Sequence, residues 1–201
     1  MGIKHLSLIF GITPSTCSEI MTKMLVLVVH KLIRHLLAMI KFPDVEKMES
    51  YAQLINICEP EVDDVIGFMD GLSLTSACTS EVLEQNFMYS GYHSDTMVNN
   101  IIAYGQDGKV CLCALNFPGS WHDGSITANI LLYFQKKIGR YKMCVDQSFP
   151  RRGDAANILV GPISQTQAQR LARNLRPNLL CLSNVYVLLH QASKWGMRVA
   201  G

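Results

Sequence analysis

The sequence predicts a mixed α/β fold in which helices flank a β-sheet. Short apolar runs bounded by glycine and proline predict strands, and longer segments with apolar residues every three to four positions predict helices. Three strand-like runs joined by turns come first, and a helix, two more strands and final helices follow. With 201 residues, of which 49% are hydrophobic and 17% charged, the chain is long enough to bury a core. We therefore expect one layered domain preceded by a small helical region.

The N-terminal region is predicted to be helical. Residues 3–10 form a short apolar helix or a strand remnant, and Thr13 and Pro14 suit the cap and first position of a second helix. A turn containing glycine that leads into a helix with small polar residues is typical of a helix-turn-helix DNA reader. Because residues 2–10 leave little room for its first helix, such a reader would be truncated. An ordinary capped helix is the alternative.

The segment from Met24 to Ile40 is the one candidate for a membrane span. Lys31, Arg34 and two histidines interrupt it at spacings that collect them on one helical face. An amphipathic helix that ends before Pro43 explains this pattern better than a membrane span. We expect no membrane partner.

A change of pattern at Glu59-Pro60-Glu61 predicts a domain boundary, with a helical region over 1–58 and a second domain over 60–201. In the first region, Asp44 is expected to cap a helix that runs to about Ile57. The predicted strands are Val65–Asp70, Ser94–Tyr104, Val110–Phe117, Tyr141–Asp146 and Ile158–Pro162. The predicted helices of the second domain cover residues 123–138, 165–175 and 181–197, and residues 75–92 are expected to be irregular.

The run Val110–Phe117 is almost continuously apolar, which is typical of a strand buried on both faces at the centre of a sheet. Cys111 and Cys113 share one face of this strand and are expected to pack in the core, with metal binding as the alternative. The seven cysteines are odd in number and scattered, and no signal peptide is recognisable. Reduced thiols in the cytosol or nucleus are therefore expected.

Three aspartates lie where predicted strands end or a helix begins. Asp70 ends the first strand, Asp146 ends the fourth, and Asp123 follows the third. If these strands are neighbours, the carboxylates converge at one edge of the sheet, and a proton or a cation must relieve their repulsion. Oxygen ligands without an accompanying set of His and Cys favour Mg²⁺ or Mn²⁺ over zinc, and two such ions can clamp the oxygens of a phosphoryl transfer. Turn and helix-cap roles are the alternative for each aspartate.

Four segments carry a resemblance to a known family: Gly67–Gly71, Tyr89–His93, Phe117–Asp123 and Val145–Pro150. Their order and approximate spacing resemble those of PIF/Harbinger-type transposases of the DDE endonuclease superfamily, over about residues 60–201. The resemblance implies a ribonuclease H-like fold and metal-dependent cleavage and joining of DNA. It implies that Asp70, Asp123 and Asp146 are the catalytic, metal-binding acids.

The chain departs from the family at its last acid, which is a glutamate on a late helix. In the segment that resembles this region, Lys194 occupies the acidic position, and residues 155–201 contain no Asp or Glu. A lysine ammonium would repel a cation. Loss of a metal ligand lowers metal affinity or activity by more than the roughly 10–100-fold typical of losing a residue that only hydrogen-bonds to a ligand. We therefore expect a C-terminally truncated domain with weak or absent nuclease activity.

Basic and aromatic residues near these acids are candidate DNA contacts. Arg151 and Arg152 follow the fourth strand, and Lys194 belongs to a basic tail that is otherwise a solvated face. Trp121 is a candidate stacking platform or a core residue, and His122 a candidate general base or a turn residue.

The leading hypothesis is a transposase-derived DNA nuclease domain, a magnesium- or manganese-dependent hydrolase with an incomplete acidic site. The resemblance implies DNA as substrate and residence in the nucleus, with the cytoplasm as the alternative, and it allows for a separate DNA-binding partner protein. The first rival is a non-catalytic module of the same descent that binds nucleic acid or protein. A decayed reading frame is the second. The sequence indicates no oligomeric state.

Overall fold

The computed structural model describes residues 2–77, 80–164, 167, 169 and 176–200, without the side chains of 37, 176, 177 and 192–200. The chain divides into two compact units, Met1–Ile40 and Lys41–Gly201. The domain boundary predicted at residues 58–60 stays a prediction.

The first unit consists of helices α1 (Ile3–Phe10) and α2 (Pro14–Leu32) and a 3₁₀ turn (Leu36–Ala38). Gly11 ends α1 in the left-handed conformation, with φ of 63°. The backbone N–H of Thr16 donates to Thr13 Oγ1 at 3.2 Å, so Thr13 caps α2 as expected. The predicted amphipathic helix is part of α2 and ends at Leu32, where a tight turn closes by a 2.9 Å bond from His35 N–H to the Leu32 carbonyl. Pro43 therefore does not end this helix.

Helices α1 and α2 meet at a bend of 103° across a short turn that contains Gly11. This angle lies within the range of about 90–120° found in helix-turn-helix units. The truncated DNA reader stays a prediction. No single helix in the described residues is long and apolar enough to cross a membrane, and α1 and α2 meet that test of length and composition only together, as a bent pair.

The second unit is built from a sheet and the helices around it. Its helices are α3 (Val45–Cys58), α4 (Val82–Met88), α5 (Asp123–Ile138) and α6 (Arg176–Ala200), with a 3₁₀ turn at Gly153–Asn157. Its strands are β1 (Val65–Thr75), β2 (Tyr89–Ser90), β3 (Asp95–Gly105), β4 (Val110–Pro118), β5 (Lys142–Cys144) and β6 (Leu159–Val160).

The sheet is mixed, and β1 lies at its centre. β1 pairs antiparallel with β3 and parallel with β5, and β6 extends the parallel part beyond β5. On the other side, β3 pairs antiparallel with β4, and with β2 at its first residues. This confirms the predicted mixed α/β sheet flanked by helices, and the arrangement is consistent with the ribonuclease H-like fold.

Two apolar clusters cover the two faces of the sheet. Met69 of β1 packs with Phe134 and Ile138 of α5 in the larger cluster. Phe68, one residue earlier, packs on the opposite face with Cys144 of β5, where partly buried residues of α6 cover them. Successive side chains of a strand point to opposite faces, so β1 supplies both clusters.

Neither of the two acids predicted to end a strand does so. β1 continues past Asp70 to Thr75, and β5 ends at Cys144, before Asp146.

Two further predicted segments differ from the structure. β4 is an edge strand that pairs only with β3 among the described strands, and Leu115 in it is 54% exposed. The apolar run correctly indicates that Cys111 and Leu112 are buried in the core. Apolar content does not determine how many strands flank β4. Residues 75–92, expected to be irregular, contain α4 and β2. The helix predicted over 165–175 lies outside the described residues, apart from two single positions.

Candidate active site

Asp70 and Asp146 occupy matching positions, Asp70 within β1 and Asp146 just after β5, the parallel neighbour of β1. Phe68 of β1 pairs with Cys144 of β5, and each aspartate follows its paired residue by two positions. Asp123 reaches this region as the first residue of α5, directly after the turn that follows β4. The topology therefore brings three acids from separate segments to the region just beyond the end of β5.

The hydroxyl of Ser148 links two of these acids. Ser148 Oγ lies 2.9 Å from Asp123 Oδ2 and 2.5 Å from Asp146 Oδ1, and the Ser148 N–H donates to the same Asp146 oxygen at 2.8 Å. A hydroxyl has one proton and can donate to only one carboxylate at a time. In the second contact, two oxygen atoms with no proton between them repel each other, unless a proton on the carboxyl group or a bound cation relieves the repulsion.

Asp123 packs against the backbone of β1 at Gly71. A Cβ atom added to Gly71 would lie 2.5 Å from Asp123 Oδ1, so only glycine leaves room for the carboxylate here. Burial raises the pKa of the Asp123 carboxyl, and the negative charge of Asp146 adds to the rise, while the Ser148 hydrogen bond acts against it.

Asp70 points to the other face of β1, towards α6. It is 8% exposed, its Oδ1 accepts a 2.9 Å hydrogen bond from the Gly71 N–H, and its Oδ2 lies 3.8 Å from Nε2 of His190. The structure thus joins Asp123 with Asp146 and places Asp70 against a histidine. Within the described residues, no three His, Cys, Asp or Glu side chains are grouped closely enough to hold a metal ion.

A cavity of about 390 Å³ opens beside the linked acids. Asp123, Asp146 and Ser148 line it together with Trp121 and His122. Trp121 also stacks at a tilt against Phe117, with ring centroids 5.9 Å apart, so it combines a packing role with exposure to the cavity. His122 is exposed and precedes α5 without a side-chain capping bond.

Residues 69–180 match the family of DDE superfamily endonucleases, and this range is more than half of the chain. The chain belongs to this family. No curated protein matches the sequence, and no solved structure does. The matched range of this DDE endonuclease domain contains Asp70, Asp123 and Asp146 and ends before His190 and Lys194.

The donor atoms of the DDE domain fit a hard divalent cation. Two carboxylates and a hydroxyl are oxygen ligands of the kind that Mg²⁺ and Mn²⁺ prefer. The single Ser148 proton can serve only one of the two carboxylates, and a positive charge near the other one is therefore favourable. Asp123 and Asp146 are therefore the residues that would hold the ion.

The three basic residues expected to contact DNA differ in their surroundings. Arg151 is half-buried, and its Nη1 donates to the Pro162 carbonyl oxygen at 2.5 Å, so it fixes the chain around β6. Arg152 is exposed. The side chain of Lys194 lies outside the described residues.

Sequence reasoning did not identify two residues of this site, Ser148 and His190. Ser148 lies within one of the four segments that carry the family resemblance, beside Asp146. His190 follows Ser183 by seven positions and Tyr186 by four, which places the three on one side of a helix. That spacing was the available signal for a buried histidine.

Proposed function

We propose that this DDE endonuclease domain is of the Harbinger type, binds Mg²⁺ or Mn²⁺ through Asp123 and Asp146, and acts on DNA in the nucleus. Asp70 completes the set of catalytic acids in this proposal. The observation that carries it is the Ser148 hydroxyl shared between two carboxylates, 2.9 and 2.5 Å away, at the end of a ribonuclease H-like sheet.

A bound divalent ion would stabilise the charge on the oxygens of a phosphodiester during phosphoryl transfer. The residues of this chain prepare that site in three ways. Ser148 holds the carboxylates of Asp123 and Asp146 towards each other, and Gly71 lets Asp123 approach β1. The cavity beside them, with Trp121 at its wall, gives a strand of nucleic acid access and a ring on which a base can stack.

We further propose that cleavage is weak or absent. Residues 155–201 supply no Asp or Glu, and the α6 side chain described next to Asp70 is the imidazole of His190. Among the described residues, the two linked acids and the separate Asp70 do not form a cluster of three close ligands.

A non-catalytic module that binds nucleic acid or protein is the second candidate. The separation of Asp70 from the linked pair favours it, because the described residues offer no three-ligand cluster. In this case DNA would bind without added metal, alone or through a separate DNA-binding partner.

Titration of Mn²⁺ into the full chain, followed by thermal melting, tests the cation site. We expect the melting midpoint to rise, because a ligand that binds only the folded state stabilises it by about 2.7 kcal/mol at a hundred times its Kd. Asp123→Asn and Asp146→Asn should each remove the rise. Asp154→Asn, which removes an exposed acid from the neighbouring 3₁₀ turn, should retain it.

A midpoint that does not respond to Mn²⁺ in the unmodified chain would contradict cation binding. Incubation of labelled DNA with Mg²⁺ or Mn²⁺ tests the impairment separately, and we expect no cutting above a control without protein. Metal-dependent cutting that Asp146→Asn removes would show that the site is active and would contradict the proposed impairment.

A further inference from the structure

We propose that the cavity beside Asp123 and Asp146 holds one unpaired nucleobase of the DNA substrate, and that Tyr92 and Trp121 bind this base by stacking. The inference rests on the proposed function, because it names the kind of DNA that the same site takes. It also gives a role to Tyr92, which lines the cavity and makes no contact with the linked acids.

The walls of the cavity suit a neutral, flat group better than a phosphate. Asp123 and Asp146 contribute carboxylates, and the described residues that line the cavity include no Lys or Arg. These carboxylates repel a phosphate unless a cation lies between them. Tyr92 and Trp121 contribute aromatic rings, and such rings stack on the faces of all the nucleobases. A base therefore fits this cavity.

The size of the cavity favours a base that is not paired. Its volume of about 390 Å³ lies near the lower end of the roughly 300–1,000 Å³ of pockets that hold one small molecule. This is room for one nucleobase and not for a base pair attached to two backbones. A base must leave the duplex stack to enter such a pocket, and the free energy needed is smallest when the base is mismatched or already single-stranded.

The Trp121 ring is held in place by its surroundings. Asn99 of β3, which is 8% exposed, donates from Nδ2 to the Trp121 carbonyl oxygen at 2.7 Å and to the Gly119 carbonyl oxygen at 3.3 Å. A Cβ atom added to Gly119 would collide with the Met88 carbonyl oxygen, so the turn that carries Trp121 is closely packed. A ring fixed before binding loses little conformational entropy when a base stacks on it.

Tyr92 differs from Trp121 in that it packs on almost nothing. The Tyr92 side chain is 87% exposed, and its ring meets the His93 ring edge to face with centroids 4.9 Å apart. The turn is closed by the His93 N–H, which donates to Ser90 Oγ at 3.5 Å. The fold therefore gains little from the Tyr92 ring, whereas a stacked base would cover its exposed apolar surface.

Fluorescence anisotropy of three labelled DNAs with the full chain, in the presence of Mn²⁺, tests the inference. The first DNA is a perfect duplex, the second carries one extra unpaired base, and the third carries an abasic residue in place of that base. We expect the second DNA to bind most tightly. The third should bind like the first, because it has the same break in the duplex and no base to stack.

Tyr92→Ala identifies the ring that binds the base. We expect its affinity for DNA with the unpaired base to fall about fivefold or more, the lower limit for loss of base–aromatic stacking. Its affinity for the perfect duplex should not change, and Tyr92→Phe should keep the preference. The matched control is Tyr133→Ala, which removes a half-exposed tyrosine of α5 outside the cavity and should behave like the unmodified chain.

Equal binding of all three DNAs by the unmodified chain would overturn the base subsite and leave the action on DNA standing. Equal preference for the abasic DNA would also overturn it, because the protein would then recognise the break in the duplex and not the base. Retention of the full preference in Tyr92→Ala would exclude Tyr92 as a stacking residue. If none of the DNAs binds, the proposed function fails, and the base subsite fails with it.

Discussion

At the scale of single residues, the electrostatics of the site depend on how one hydroxyl is shared. Ser148 can satisfy Asp123 or Asp146 by donation, and its backbone N–H also favours Asp146. The charged carboxylate of Asp123 therefore receives less stabilisation from hydrogen bonds than that of Asp146. This agrees with the rise of the Asp123 pKa, which burial causes. The charged form of Asp123 therefore opposes folding when no cation is bound.

This leads to a prediction for the stability of Asp123→Asn without metal. A raised pKa in the folded state means that the native protein favours protonated Asp123, so the charged carboxylate destabilises the fold. This destabilisation is absent below the ordinary aspartate pKa, grows as the pH rises towards the folded value and is complete above it. We expect Asp123→Asn to melt at a higher temperature than the unmodified chain at pH 7.5. The difference should vanish towards pH 3.5. Thermal melts in EDTA across this range measure it.

The control for this prediction is the pH dependence itself. A gain in midpoint that is equal at both ends of the pH range would indicate a packing effect of the amide and would contradict the electrostatic explanation. Addition of Mn²⁺ should reverse the order of the two proteins, because only the carboxylate binds the cation.

The individual acids of the site could be found in the sequence, whereas their partners could not. Asp70 and Asp146 each follow an apolar run, and Asp123 begins a periodic one, so the changes of pattern at these residues are visible in a sequence. The strand ends themselves were not predicted correctly, because β1 continues past Asp70 to Thr75 and β5 ends before Asp146. Ser148 belongs to the site through its hydrogen bonds to the acids, and His190 through the position of α6 on the sheet. The face of α6 that packs on β1 depends on tertiary contacts, which the spacing of residues alone does not determine.

At the scale of secondary-structure elements, the approach of α5 to β1 defines the site. Gly71 is the point of contact, because the first residue of α5 lies directly over it. We predict that Gly71→Ala displaces the Asp123 carboxylate from Ser148 and removes most of the Mn²⁺-induced rise in melting midpoint. Because the contact is with the end of a side chain that can move, the free energy of unfolding, measured by urea denaturation, should fall by less than the roughly 1–3 kcal/mol of overpacking in a rigid core.

Gly91→Ala is the matched substitution, since a Cβ atom at Gly91 meets nothing within 4 Å. It should retain the full response to Mn²⁺. If Gly71→Ala binds Mn²⁺ as well as Gly91→Ala does, the close packing of Asp123 on β1 is not needed for the cation site.

Helices were predictable to the extent that their ends carry local signals. The range 123–138 matches α5, because its apolar residues recur every four positions and Gly139 follows. Asp44 caps α3 by accepting the Lys47 N–H at 2.9 Å, as its position predicted. Helix α4 begins without a side-chain capping bond and has no buried residue, so its sequence gave little sign of it.

At the scale of the whole molecule, a net charge of +2 does not by itself attract DNA, so binding depends on where the cations lie. We predict that Arg152→Ala weakens DNA binding about equally for all sequences. It should also lower the slope of log affinity against log salt by about one. Fluorescence anisotropy at several salt concentrations measures both quantities. The exposed position of Arg152 predicts an unchanged melting midpoint.

Arg151→Ala is the comparison for this prediction, because the half-buried guanidinium donates to the Pro162 carbonyl. Its loss should lower stability by about 1.5–3 kcal/mol, the value for hydrogen bonds of charged groups. Unchanged salt slopes in Arg152→Ala would show that this residue does not contact phosphate.

The fold class followed from the order of strands and helices, which the sequence displays through periodicity and turn residues. The position of each strand in the sheet did not follow, since apolar content indicates which faces are buried and leaves the neighbours undetermined. β4 was expected at the centre and lies at an edge, while β1 occupies the centre.

The edge position of β4 has a consequence for self-association. Its outer backbone groups pair with no other described strand, so a regular β4 would offer a template on which a second chain could add and aggregate. Two register shifts against β3 and the left-handed Asn116, with φ of 65°, interrupt the row of donors and acceptors. The irregularities of β4 thus protect the open side of the sheet from growth into larger assemblies.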